Sequence, residues 1–176
     1  MKNLRLAGMV VSVLAACAGV MLFRVAKSGG STSNAAGVST LAPSWELKDA
    51  DGKPVKSGDF AGKVVILDFW ATWCGPCRRE IPGFIELQRQ YADKGLVVIG
   101  VSLDQDGAAE VQPFMDKTGI NYPVVLGNEG IVNAFGGVEG IPTTYIIDRN
   151  GQIVGKHVGY TAKAEFEAEI KPLEEE

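Results

Sequence analysis

Cys74 and Cys77, separated by Gly75 and Pro76 and preceded by Trp73, are spaced to open and close a disulfide. They lie where a buried strand should give way to a helix. Peptide N–H groups at a helix start stabilise an anion, so a thiolate is favoured at Cys74, whereas an ordinary buried thiol would have its pKa raised. Cys74 is therefore the candidate nucleophile. Cys77, one helical turn on, faces the same side within bonding reach and deeper in the helix, which makes it the candidate resolving thiol. Pro76 falls in the first turn, where a missing N–H costs nothing. Zinc binding and a purely structural cross-link are the other uses of such a pair. Tetrahedral zinc needs four ligands, and the chain offers only one histidine, His157, and scattered carboxylates, so no metal is expected. A bridge across two residues constrains the unfolded chain little and exchanges readily, which leaves redox chemistry as the expectation.

Asp68 precedes the pair inside the apolar run Val64 to Trp70. A carboxyl in a buried strand is costly as an anion and tends to keep its proton. It can either take the Cys77 proton through water during disulfide exchange or be satisfied by local hydrogen bonds. Glu80, three residues after Cys77, reads from its position as a surface charge near a helix start. His157 reads as a half-exposed strand residue.

The elements that must hold these residues emerge from the hydropathy pattern. Trp45 to Leu47 and Lys53 to Val55 flank Asp51-Gly52 as a small hairpin. Val64 to Trp70 and Leu96 to Leu103 read as strands buried on both faces, joined by a helix from the cysteines to about Ala92, with a kink expected at Pro82. That is a βαβ unit with parallel strands. Gln105 to Thr118 reads as a helix containing Pro113, Tyr122 to Leu126 as a short strand and Gly130 to Phe135 as a short helix. Thr144 to Ile147 and Gln152 to Val158 form a hairpin across Asn150-Gly151, and a last helix runs from about Ala162 towards Glu176.

At 176 residues, with a net charge of -4 and no basic run in the folded part, the chain suits one domain and gives no electrostatic case for nucleic acid. Residues 1–27 are set apart. Lys2 and Arg5 precede an apolar stretch from Leu6 to Phe23, roughly 27 Å as a helix at 1.5 Å per residue, and Arg24 and Lys27 close it. This pattern places the chain beyond Lys27 on the outer side of a membrane. The stretch reads as a signal anchor. Leu14-Ala15-Ala16-Cys17 also looks like a lipobox, with Cys17 the candidate for lipidation, and cleavage near Ala26 would leave no tether. Residues 28–42, rich in Ser, Gly, Ala and Thr, read as a flexible linker, and 43–176 as the domain.

Asp68-Phe69-Trp70-Ala71-Thr72-Trp73-Cys74-Gly75-Pro76-Cys77 resembles the thioredoxin active-site segment, and the chain from about Pro43 to Glu176 resembles the TlpA/ResA branch of membrane-tethered extracytoplasmic thioredoxins. The branch features are the opening hairpin, Arg78-Arg79-Glu80-Ile81-Pro82, the extra strand and helix between Gln105 and Gly137, and Gly140-Ile141-Pro142-Thr143-Thr144. The resemblance implies an α/β thioredoxin fold: a central mixed β-sheet flanked by helices, with an N-terminal β-hairpin and a strand-helix insertion. It also implies a cis peptide between Ile141 and Pro142 opposite the cysteines, with Trp73, Gly75, Pro76, Ile141 and Pro142 meeting substrate. Trp70 and the Gly136-Gly137 turn would flank the groove, unless Trp70 is simply core. Glu80 matches an acidic residue near the active site and becomes a second candidate proton acceptor. Cytoplasmic thioredoxins pair their buried Asp with a Lys on the next strand, which Leu96 to Leu103 lacks.

The expected activity is reduction of disulfides in exported proteins, apocytochrome c among them, by a monomer without cofactor. No G-x-G-x-x-G occurs, so electrons would come from a DsbD/CcdA-type membrane donor. Three alternatives stay open: a thiol oxidase or isomerase, a peroxiredoxin-like antioxidant, and a Sco-like copper-delivery module. The Gly-Pro between the cysteines, the short cysteine spacing and the strand position of His157 argue against them in turn.

Overall fold

The strand Val64–Trp70 (β4) is buried at every position, and the rest of the molecule is arranged around it. The computed structural model describes residues 40–174. Alternation along β4 sends Val64, Ile66, Asp68 and Trp70 to one face and Val65, Leu67 and Phe69 to the other. The first face packs against the helix Gly75–Tyr91 (α1) and the C-terminal helix Lys163–Glu174 (α4), in a core containing Phe84, Leu87, Phe166 and Ile170. The second face is covered by Ile131, Phe135 and the opening hairpin around Leu47. Asp68 is thereby placed beneath α1.

β4 pairs in parallel with Leu96–Ser102 (β5) and antiparallel with Thr143–Ile147 (β7), so the sheet is mixed. With Thr40–Leu41 (β1), Glu46–Asp49 (β2), Pro54–Lys56 (β3), Val124–Leu126 (β6) and Gln152–Val158 (β8), its order is β1-β8-β7-β4-β5-β6-β2-β3. The inserted helix Ala108–Thr118 (α2) precedes β6, and the short helix Glu129–Ala134 (α3), capped by Asn128, comes after it. This is the thioredoxin-like α/β architecture with the expected hairpin and insertion.

Three local expectations are corrected. Thr40 and Leu41, assigned to the linker, instead pair with Ile153 and Gln152, which puts the start of the sheet ahead of Pro43. The second helix begins at Ala108 rather than Gln105, because Gly107 at its N-cap takes φ 56° and ψ -128° and turns the chain before the helix can propagate. Trp70 is 1% exposed and tilted against Phe114 at 5.4 Å between ring centroids, so it is core and does not flank a groove.

The proposed signal segment, residues 1–27 with Cys17, lies outside the described residues, as does nearly all of the linker. Among the described residues, no helix is long and apolar enough to cross a membrane.

Candidate active site

α1 starts at the cysteines because Cys74, with an extended backbone, caps it: the Cys77 N–H donates to Cys74 Sγ at 3.2 Å, and Pro76 sits in the first turn. The two sulfurs are joined, with Cα atoms 5.3 Å apart. Cys77 is fully buried and Cys74 is 5% exposed, so the outer sulfur is Cys74. A negative charge developing there meets the helix N-terminus and the Cys77 N–H, and is stabilised by both.

Opposite the pair, the Ile141-Pro142 peptide is cis, as the resemblance implied, and the Ile141 carbonyl oxygen lies 3.6 Å from Cys74 Sγ. Pro142 is buried and Ile141 half-buried. The Gly159 N–H donates to the Pro142 carbonyl at 2.8 Å and ties this loop to the end of β8. Gly136 and Gly137, both at positive φ, make the left-handed turn after α3, and their N–H groups donate back to the Asn133 and Val132 carbonyls of that helix. Trp73 stands 67% exposed beside Cys74, while Gly75 is exposed and Pro76 half-buried.

Asp68 is 3% exposed under α1, where Thr144 Oγ1 donates to its Oδ1 at 3.0 Å. Burial pushes its pKa well above the usual carboxylate range, the Glu80 charge adds to the rise, and the Thr144 hydrogen bond opposes it. Glu80 is the main departure from the sequence-based expectation. It lies in the second turn of α1, not the first, and at 3% exposure it faces the core rather than solvent. The Thr161 N–H donates to its Oε1, and its Oε2 is buried without a partner among the described residues. Burial raises its pKa from 4.5 to about 7, against the lowering influence of the Thr161 N–H and the Arg79 charge. Asp68 and Glu80 are thus two buried carboxyls on the α1 side of β4, and the Glu80 charge disfavours ionisation of Asp68.

The missing lysine has a structural reason. Gly100 is the register partner of Asp68 on β5, and a Cβ there would meet Trp70 Nε1 at 2.7 Å. The indole occupies the space a lysine stem would need.

Asp104 carried no signal in the sequence that marked it out. Its carboxylate accepts the Thr72 N–H at 3.0 and 3.1 Å, the Thr72 hydroxyl at 2.7 Å and the Ser102 hydroxyl at 2.8 Å. It pins the loop that carries Trp73 and Cys74. His157 is half-buried, with Nε2 3.0 Å from Glu169 Oε1 and its ring edge-on to Phe166. Among the described residues, no group of three or more His, Cys, Asp or Glu side chains could hold a metal.

A disulfide that closes at a helix N-terminus, facing a cis-proline loop on this sheet, defines the class as thiol:disulfide oxidoreductase. Comparison with known proteins agrees. Residues 38–156 match the model of the AhpC/TSA family, and the chain belongs to this thioredoxin-like family. It is 39% identical to the thioredoxin-like protein YneN of Bacillus subtilis over 73% of this chain and 76% of that one. The thiol-disulfide oxidoreductase ResA of Bacillus thuringiensis subsp. konkukian is 31% identical over 98% of this chain and 99% of its own. Among solved structures, a thioredoxin-family thiol:disulfide interchange protein of Chlorobium tepidum superposes with a TM-score of 0.71 at 37% identity, covering 77% of this chain and 97% of that one.

Proposed function

We propose that this oxidoreductase is a reductase of exported proteins, tethered by its N-terminal segment to the outer side of the cell membrane, with Cys74 as nucleophile and Cys77 as resolving thiol. The carrying observation is the placement of Cys74 Sγ, held by the Cys77 N–H at 3.2 Å and 3.6 Å from the Ile141 carbonyl. In the reduced protein the Cys74 thiolate attacks a substrate disulfide, and one substrate sulfur leaves as a thiolate that takes a proton from solvent. Cys77 then gives its proton to the Asp68/Glu80 pair and attacks Cys74. The second substrate thiolate leaves, and two electrons have passed from the cysteine pair to the substrate. The backbone at Ile141 pairs with an extended substrate segment, while Trp73, Gly75, Pro76 and Pro142 shape the contact.

The location is supported by the flanked apolar stretch from Leu6 to Phe23, which falls inside the alignment to ResA. Reduced cysteines are restored by a DsbD/CcdA-type membrane donor, and the resemblance to the TlpA/ResA branch makes apocytochrome c a fitting substrate by analogy. The test is the reduction potential of the Cys74–Cys77 couple, measured on the full chain in detergent against dithiol buffers. A value near roughly -270 mV or below supports a reductase, and one near roughly -120 mV makes the protein an oxidant or isomerase. The copper reading has its own test. The reduced protein should take up no stoichiometric Cu(I), because the cysteines are only two residues apart and His157 sits on β8, where its ring packs edge-on to Phe166.

A further inference from the structure

We propose that the groove between α1 and the inserted helix α2 is a second docking surface, which selects polypeptide substrates carrying acidic side chains next to the cysteine under attack. It rests on the reductase reading and adds the substrate's chemistry to it. The groove measures about 600 Å³, and Thr72, Trp73 and Arg78 line one wall while Phe114 and Lys117 line the other. Its lining includes Trp73, the residue before Cys74, which puts the groove beside the reactive sulfur.

Three observations carry the assignment. Trp73 leaves 67% of its surface in water beside the reactive sulfur, whereas Trp70 three residues earlier is buried in the core. An exposed aromatic next to a reaction centre is the kind of residue that anchors a partner. Arg78 and Lys117, exposed on opposite walls, make no ion pair among the described residues, although Lys53, Lys56, Lys163 and Lys171 all pair with carboxylates. On the other side of α1, Arg79 lies over the Tyr160 ring at 5.2 Å. Arg78 and Lys117 thus face one groove on a chain whose net charge is -4. Glu110 is the acid in the groove lining, and its electrostatic neighbours are Asp104 and Asp106 rather than either cation.

Both walls are fixed before substrate arrives. Asp104 pins Thr72 through the loop after β5, and Phe114 packs against Trp70 in the core, which sets the position of α2. A preformed site spends less binding energy on ordering itself. The occupant that fits is an extended segment with an apolar side chain over Trp73 and a carboxylate between Arg78 and Lys117, where charge complementarity speeds encounter and rejects like charge.

The test uses the full chain in uncharged detergent, reduced beforehand, and two synthetic peptides with the same intramolecular disulfide flanked by Glu in one and Lys in the other. Stopped-flow mixing gives the second-order rate of each. The acidic peptide should be reduced about tenfold faster. The ratio should fall towards one as salt rises from about 0.01 to about 1 M and the screening length drops from about 30 to about 3 Å. The exposed double variant Arg78→Glu/Lys117→Glu should bring the ratio below one. Equal rates for the two peptides, or a ratio untouched by the double variant, would overturn the docking surface while leaving the reductase standing. Failure of the wild-type protein to reduce either peptide would sink the reductase reading and this proposal with it.

Discussion

The Thr161 N–H donates to one oxygen of the Glu80 carboxyl and leaves the other buried with no partner among the described residues. A neutral carboxyl tolerates this arrangement better than an anion does, because the bare oxygen would carry charge without solvent. Its pKa accordingly rises from 4.5 to about 7. Between those values the folded chain holds a proton that the unfolded chain has released, so stability falls as pH rises through this window and levels off above about 7. The loss from Glu80 should be roughly 3 kcal/mol, with Asp68 adding in the same direction. Urea midpoints of the oxidised protein should fall between pH 5 and pH 8, and Glu80→Gln should flatten that slope. An unchanged slope in the variant would refute the assignment.

Asp68→Asn keeps the shape of the side chain and removes the charge the site resists. It should fold normally and at pH 7 be at least as stable as the parent. Resolution of the mixed disulfide should slow by about a hundredfold if the carboxyl takes the Cys77 proton. Stopped-flow product release measures this, and unchanged kinetics would remove Asp68 from the reaction.

Cys77 is completely buried and Cys74 is the outer sulfur, so the two should behave differently when one is removed. Cys77→Ser should accumulate a covalent adduct with a peptide disulfide through Cys74, visible by intact-mass spectrometry. Cys74→Ser should form little or none. Comparable adducts from both variants would contradict the assigned roles.

Gly100→Ala puts a Cβ 2.7 Å from Trp70 Nε1, and the indole is enclosed in the core. Crowding of this kind should cost about 1 to 3 kcal/mol, and Gly100→Lys more. Gly58→Ala, with nothing within 4 Å of the new Cβ, serves as the comparison. Equal urea midpoints for the Gly100 and Gly58 variants would mean that the indole yields.

The central strands and the β7–β8 hairpin were legible because unbroken apolar runs and Asn150-Gly151 leave few other choices. β1 was not, since two residues in a Ser- and Thr-rich stretch carry no periodic signal and depend on an edge to pair with. The cysteine pair and the cis proline were readable, the first from helix-start chemistry and the second from resemblance alone. The surface reading of Glu80 failed because it followed the charge of the side chain rather than its helical phase with Cys77 and Phe84. Counted from Gly75, it shares the buried stripe with Cys77, Ile81 and Phe84. Asp104 needed the strand register: Val64 opposite Leu96 puts Thr72 level with Asp104, a match between distant segments that local pattern cannot reveal.

β8 runs from Gln152, beside β1, to Val158, beside the cis-proline loop, roughly 20 Å of extended chain. The polypeptide therefore joins the sheet at the pole opposite the cysteines. β1 thus closes an edge of the sheet at the hairpin end of β8, away from α1 and from the Ile141-Pro142 loop, and the first described residues leave the reactive end of the sheet to those two elements.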